Sequence, residues 1–181
     1  NGSSWFRAVG LEDAPGTKLI SLSGAVSRPG MLEVPMGTSI AEILRLGGAS
    51  EVPAITLGGP SGGFLPASKF DTCIHPGMIE ESGAVLGAGG IVAIDENFPM
   101  QDIVLIQANY NAIESCGKCT PCREGTPRIV NMLDKLKAST NTSQYREELS
   151  NLAEVVSSAS LCGLGQGAGT PIKSFLHFWP D

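Results

Sequence analysis

Along residues 18–26, K-L-I-S-L-S-G-A-V, apolar and polar side chains alternate, so that Ile20, Leu22 and Val26 share one face. A period of two belongs to a half-buried strand. Ser27-Arg28-Pro29-Gly30 then turns the chain into Met31-Leu32-Glu33-Val34, and the two runs are expected to form a hairpin. The period changes next. Ser39 and Glu42 stand at capping-box spacing, Ile40, Ile43 and Leu44 fall on one helical stripe, and Gly47-Gly48 stops it. Strand, strand, helix opens a ubiquitin-like β-grasp, and further strands expected near 54–58 and 90–94 would complete a small mixed sheet. Between them Gly58-Gly59-Pro60-Ser61-Gly62-Gly63 is too rich in glycine for regular structure.

From Pro99 onward the pattern is helical. Ile103, Ile106, Tyr110 and Ile113 recur at helical spacing and predict an amphipathic helix that delivers the chain to Cys116. Thr126-Pro127 reads as a helix start, with Ile129, Val130, Leu133 and Leu136 inward. A third helix carries Tyr145, Leu149, Leu152, Val156 and Ala159, and Thr170-Pro171 opens a fourth with Ile172, Phe175, Leu176 and Trp179 on one stripe. The predicted fold is α+β: a β-grasp domain over residues 1–97 and a small helical bundle over 98–181.

Composition narrows the possibilities. The 181 residues are 42% hydrophobic, which suits a globular chain, and 23 glycines and 12 prolines imply many turns. A formal charge of −6 without a Lys/Arg block argues against a nucleic-acid partner. No apolar run approaches the roughly 20 residues that span a bilayer, and no signal sequence opens the chain, so a cytoplasmic protein with no direct membrane insertion is expected. The chain begins at Asn1 without an initiator Met and is expected to be a fragment whose missing part lies upstream.

The candidate chemistry lies in the cysteines. Cys116, Cys119 and Cys122 stand three apart in E-S-C-G-K-C-T-P-C-R-E-G-T-P, and Cys162 follows in S-L-C-G-L-G-Q. A C-x2-C-x2-C run folds readily as one loop offering thiolates to a single [4Fe-4S] cluster, with a fourth ligand from another segment. Three alternatives stand beside it. Zinc usually takes two separated C-x2-C pairs, disulfides need an oxidising compartment, and unliganded buried cysteines would not account for the flanking Gly117, Pro121, Arg123, Gly163 and Gly165. Cys73, alone in its loop, is expected to be a small buried hydrophobe.

Other motifs carry less. Gly163, Gly165 and Ala168 match G-x-G-x-x-A by letter, but a helix precedes them where a dinucleotide site needs a strand. They are expected instead to let the backbone approach the cluster. The loop at 58–63 lacks the Lys-Ser/Thr of a phosphate-binding loop and reads as a wide turn or docking loop. His75 and His177 have no partner at ligand spacing. Arg123 is expected either to bias the cluster toward its reduced form or to sit as a solvated helix-start cation, and Glu114 either to share that setting or to cap and pair locally.

The cysteine motifs, with W-F-R-A-V-G at 5–10, P-G-T-K-L-I-S-L-S-G-A-V at 15–26, L-G-G-P-S-G-G at 57–63 and G-A-V-L-G-A-G-G-I-V-A-I-D-E at 83–96, closely resemble the NADH-oxidising flavoprotein subunit of respiratory complex I, NAD-reducing hydrogenases and NAD-dependent formate dehydrogenases. The resemblance covers essentially the whole chain. It implies a soluble-ligand-binding β-grasp (SLBB) domain followed by a helical [4Fe-4S] domain, with Cys116, Cys119, Cys122 and Cys162 as the ligands. It also implies hydride transfer from NADH to FMN in an upstream region, then single electrons passing through this cluster to iron-sulfur subunits of a multisubunit oxidoreductase. The fragment is expected to lack that FMN/NAD region and to be inactive alone. The spelling S-L-C-G-L-G-Q favours the hydrogenase diaphorase branch. The competing expectation is a β-grasp ligand-binding or subunit-docking module whose four cysteines hold a purely structural metal.

Overall fold

The structure is a computed structural model that describes residues 1–77, 83–139 and 142–180. It divides into two compact units. One comprises Asn1–Gly59 and Phe64–Glu96, the other Pro60–Gly63 and Asn97–Asp181.

The first unit is built on a five-stranded sheet in the order β2-β1-β5-β3-β4. Strands β1 (Thr17–Gly24) and β2 (Gly30–Pro35) form the antiparallel hairpin expected from the alternation, with Ile20 facing Leu32 in register. Ile20 and Leu22 are fully buried, each contributing about 1.5–3 kcal/mol by leaving water. Helix α2 (Ile40–Leu46) starts where Ser39 Oγ accepts the Glu42 N–H at 3.2 Å, and it buries Ile40, Ile43 and Leu44. Strands β3 (Ala54–Leu57), β4 (Phe64–Pro66) and β5 (Gly90–Ile94) complete the sheet. β5 runs parallel to β1 and antiparallel to β3. A parallel central pair flanked by antiparallel neighbours is the β-grasp arrangement, and the chain is α+β. A short helix, α1 (Ser3–Arg7), precedes the sheet with no buried residue.

Two expectations for this unit are corrected. β4 was absent from the sequence pattern, since its three residues follow directly on the glycine loop. Cys73 is exposed rather than buried: it makes an isolated bridge to Ser39, and the next residue, Ile74, turns into the core.

The second unit is helical: α3 (Met100–Ile113), α4 (Thr120–Ala138), α5 (Thr142–Ala159), α6 (Gly163–Ala168) and α7 (Thr170–Phe178). Helix α4 packs between α3 and α5, and α6 touches all of α3, α4, α5 and α7. Ile129, Leu133 and Leu136 of α4 meet Leu149, Ala153 and Val156 of α5 as the buried faces, with Ile172 and Phe175 from α7. Arg146 donates to the Leu176 and Trp179 carbonyls, satisfying the end of α7, and lies 5.6 Å from the Phe175 ring centroid. No helix among the described residues is long and apolar enough to cross a membrane.

Here too the structure departs from the pattern. Apolar residues encircle α3, so periodicity does not select its buried face. Val104, Gln107, Ala108 and Asn111 face inward, while Ile106, Tyr110 and Ile113 are 67%, 48% and 79% exposed. Thr126-Pro127 does not start a helix. α4 begins six residues earlier with Cys119 as its cap and Pro121 in the first turn, leaving Pro127 inside the helix with its ring exposed.

Candidate iron-sulfur site

The cysteine loop is shaped by one glycine and one arginine. After α3 ends at Ile113, the chain passes Ser115 and Cys116 to Gly117, whose φ of 74° is a left-handed conformation that glycine adopts without a Cβ penalty. The turn is held by Arg123, which donates to the Gly117 carbonyl at 2.9 Å and pairs with Glu124 at 3.0 Å. Of the two roles considered for Arg123, the structure matches the solvated helix-start cation, since it lies half-exposed in the first turn of α4. Its guanidinium secures the loop between Cys116 and Cys119. Glu114 is the C-cap of α3, its N–H bonded to the Tyr110 carbonyl.

Cys119 is the N-cap of α4, Cys122 lies in its first turn, and Cys162 is the N-cap of α6. Two helix starts, with their outward N–H groups, therefore carry three of the four motif cysteines. All five cysteines of the chain are free thiols. Cys122 is buried, Cys119 partly buried, and Cys116 and Cys162 exposed.

The second cysteine segment folds back onto the first. The Leu161 N–H, followed by the Cys122 N–H, holds the Cys119 thiol below the ordinary cysteine pKa. Burial opposes this, while the Ser160 hydroxyl and the Cys119 N–H add to it. Gly165 shows how tight the packing is: a Cβ there would lie 2.4 Å from Ser160 Oγ and 3.1 Å from Cys122 Cβ. Ser115 Oγ lies 3.2 Å from Cys122 Sγ. The structure thus brings Cys119 and Cys122 together with the Ser160–Gly165 segment that contains Cys162.

Among the described residues, no group of three or more His, Cys, Asp or Glu side chains is arranged to hold a single metal ion. A single zinc ion draws its sulfurs to about 2.3 Å from one centre. A cubane carries its ligands on separate corners. The Cys119 and Cys122 thiols, with N–H and O–H donors beside them, are chemically suited to a thiolate-ligated iron-sulfur cluster. Neither histidine joins it: His75 Nδ1 accepts the Gly77 N–H, and the His177 ring stacks edge-on against Phe178.

The Gly-rich loop takes part in the helical unit. Ser61 Oγ donates to Asn111 Oδ1 at 2.8 Å, Asn111 Nδ2 donates to the Pro60 carbonyl at 3.3 Å, and a Cβ on Gly167 would lie 3.0 Å from Ser61 Cβ. Asn111 was missed in the sequence because an amide on an otherwise apolar helix looks like a solvent-facing residue. Ser115 and Ser160 were missed although Ser115 immediately precedes a cysteine and Ser160 lies two residues before one. The sheet unit has a separate open concavity of about 470 Å³ lined by Trp5, Phe6, Val9, Gly16, Thr17 and Glu33.

A β-grasp unit and a helical unit with cysteine-capped helices define an α+β protein of the iron-sulfur class. Residues 102–181 match the family described as the NADH-ubiquinone oxidoreductase-F iron-sulfur binding region. The chain is 35% identical over 179 residues to HndC, a subunit of the NADP-reducing hydrogenase of Solidesulfovibrio fructosivorans, covering 96% of this chain and 36% of that protein. It is 35% identical over 183 residues to the second F-type subunit of the Rhizobium meliloti NADH-quinone oxidoreductase, covering 98% and 44%. Among solved structures, the air-oxidised NAD+-reducing [NiFe]-hydrogenase superposes with a TM-score of 0.87 at 31% identity, over 100% of this chain and 31% of that one. Over nearly its whole length the chain is therefore similar to part of the NADH-quinone oxidoreductase F-type subunits and their hydrogenase counterparts, and its residues 102–181 match their iron-sulfur binding region. It spans less than half the length of these curated relatives.

Proposed function

We propose that this chain is the electron-transfer portion of an NADH-oxidising flavoprotein subunit, in which Cys116, Cys119, Cys122 and Cys162 hold a [4Fe-4S] cluster. In this reading residues 1–97 are the SLBB β-grasp domain and 98–181 the cluster domain. Electrons enter from FMN, reduced by NADH in another part of the subunit, and leave to an iron-sulfur subunit of the same complex. The cluster, when bound, takes up and passes on one electron at a time. The likeness to HndC and to an NAD+-reducing hydrogenase, with the S-L-C-G-L-G-Q spelling, supports the diaphorase of an NAD-reducing hydrogenase as the parent. A cytoplasmic setting, where thiols stay reduced, is part of the proposal.

The observation that carries it is the meeting of the two cysteine segments at Cys119, whose sulfur faces the Leu161 N–H next to Cys162. The residues have separable roles. Cys119 and Cys162 present sulfurs from helix starts, where backbone N–H groups favour negative charge. Gly165 leaves room for the approach of the Cys162 segment, and Arg123 fixes the loop that carries Cys116.

Anaerobic loading with iron and sulfide tests this. The expected product is brown, holds four irons per chain as the [4Fe-4S] stoichiometry requires, and gives a paramagnetic signal on reduction that Cys119→Ser abolishes. A colourless chain that takes one zinc instead would overturn it in favour of a structural site.

A further inference from the structure

We propose that Ser115 and Ser160 are positioning residues that tune the redox potential of the cluster, their hydroxyls donating to the Cys122 and Cys119 sulfurs. The proposal rests on the cluster reading above and deepens it.

At Ser115 the direction of the bond follows from the state of Cys122 as a ligand. Ser115 Oγ lies 3.2 Å from Cys122 Sγ, in a contact where either atom could donate if both carried protons. A ligating thiolate carries none. The Gly117 N–H donates to the same Ser115 Oγ at 3.4 Å, which uses an acceptor lone pair and leaves the hydroxyl proton for sulfur. Cys122 is buried, so this donor is not replaced by bulk water if it is removed.

Ser160 has a different warrant. It is 5% exposed, and its Oγ reaches no partner in ordinary hydrogen-bond geometry. A buried hydroxyl without a full partner is destabilising, and such atoms often mark a functional requirement. Its neighbours are the cysteines: a Cβ on Gly165 would lie 2.4 Å from Ser160 Oγ and 3.1 Å from Cys122 Cβ, and the Ser160 hydroxyl adds to the lowering of the Cys119 pKa. Loading the site places a thiolate acceptor beside this unfilled donor. The serines therefore approach two different ligands from two segments, the end of the α3 connection and the end of the α5 connection.

Hydrogen bonds to ligand sulfurs stabilise the more negative, reduced cluster more than the oxidised one, and so raise its potential. Removing either hydroxyl should make the cluster harder to reduce without removing a ligand.

The test uses the full chain loaded anaerobically, with Ser115→Ala, Ser160→Ala and the double variant. Iron content and the midpoint from a paramagnetic-resonance redox titration are measured for each. Four irons per chain with midpoints shifted negative, further in the double variant, is the expected result, and Ser115→Thr, which keeps the hydroxyl, should restore the original midpoint. Retained iron with unmoved midpoints in both single variants would overturn the proposal. Should an alanine variant fail to load, the unsubstituted chain gives the answer after transfer to deuterated solvent. A rapidly exchanging proton coupled to the reduced cluster supports hydroxyl donation, and coupling only to slowly exchanging amide protons overturns it. If the unsubstituted chain binds no iron at all, the cluster reading itself fails, and this inference with it.

Discussion

The Arg123 guanidinium donates to the Gly117 carbonyl at 2.9 Å, so the first turn of α4 holds the preceding cysteine loop from behind. Arg123 is about half exposed, and its ion pair with Glu124 is correspondingly screened. The bond to a carbonyl in a left-handed turn is the more consequential contact. Arg123→Gln should let a chelator strip the loaded chain about five-fold faster, the rate change of roughly 1 kcal/mol for one such bond. Arg123→Lys should restore little of it, since a single ammonium cannot reproduce the planar fork. Loss of visible iron-sulfur absorbance under chelator reads the rate, and equal rates in all three proteins would remove Arg123 from the loop's support.

Gly125 and Val156 hold α4 and α5 in close contact one turn beyond Cys122. A Cβ on Gly125 would lie 2.2 Å from Val156 Cγ2. Alanine at 125 gains about 1 kcal/mol of helix propensity. Overpacking costs about 1–3 kcal/mol, and the β-branched valine has little rotamer freedom with which to retreat. Gly125→Ala should therefore lower Tm despite being the better helix former, and Val156→Ala in the same chain should recover part of the loss. Thermal denaturation of the four proteins of this cycle measures the coupling.

Asn111 is 1% exposed and bonds both Ser61 and Pro60. Asn111→Leu would leave the Ser61 hydroxyl and the Pro60 carbonyl without those partners. The expected cost is about 1–3 kcal/mol, seen as a lower urea midpoint. Exposed Asn109, whose amide donates only to the Leu105 carbonyl of its own helix, should tolerate alanine within about 0.5 kcal/mol.

The lowered pKa of Cys119 gives a pH dependence in the metal-free chain. Its folded value lies below its unfolded one, so the stabilisation of its thiolate is fully present above the ordinary thiol pKa. It is lost as pH falls through the lowered value. Alkylation of Cys119 by iodoacetamide, followed by peptide mass mapping, should reach half its maximal rate at a lower pH in the folded chain than in urea. Identical midpoints would mean that the Leu161 N–H does not reach the sulfur in solution.

Much of this was legible in the sequence where one local rule governs one element. The hairpin follows from alternation around Ile20 and Leu22, and α2 from a serine cap that the structure reproduces at Glu42. Legibility failed where partners distant in the chain decide. α3 presents apolar groups all round, and its buried side was chosen by contacts that include Asn111 with the loop at 60–63. The start of α4 was misplaced because Thr126-Pro127 satisfies the cap rule by letter, while Pro121 satisfies it more than a turn earlier behind Cys119. Thr126 instead buries its hydroxyl against the Cys122 carbonyl at 2.9 Å. α6 escaped notice because three of its six residues are glycine, unfavourable in helices alone and tolerated here because they let Ser160, Cys122 and Ser61 come close. The four motif cysteines were plain from spacing, whereas the serines around them became visible only as neighbours in space.

The parallel pairing of β1 with β5 joins Ser21 to Gly90 and Gly24 to Ala93 at the middle of the sheet. Its consequence is one of timing. As the chain is synthesised, β1 gains β2 at once but keeps its other edge empty until β5, far along the sequence, has been made. Closing so long an excursion carries an entropic cost before any contact rewards it. In the helical unit α4 packs against its sequence neighbours α3 and α5. On the ribosome, the β-grasp unit should therefore stay open to proteases until β5 emerges and then close in a single late step.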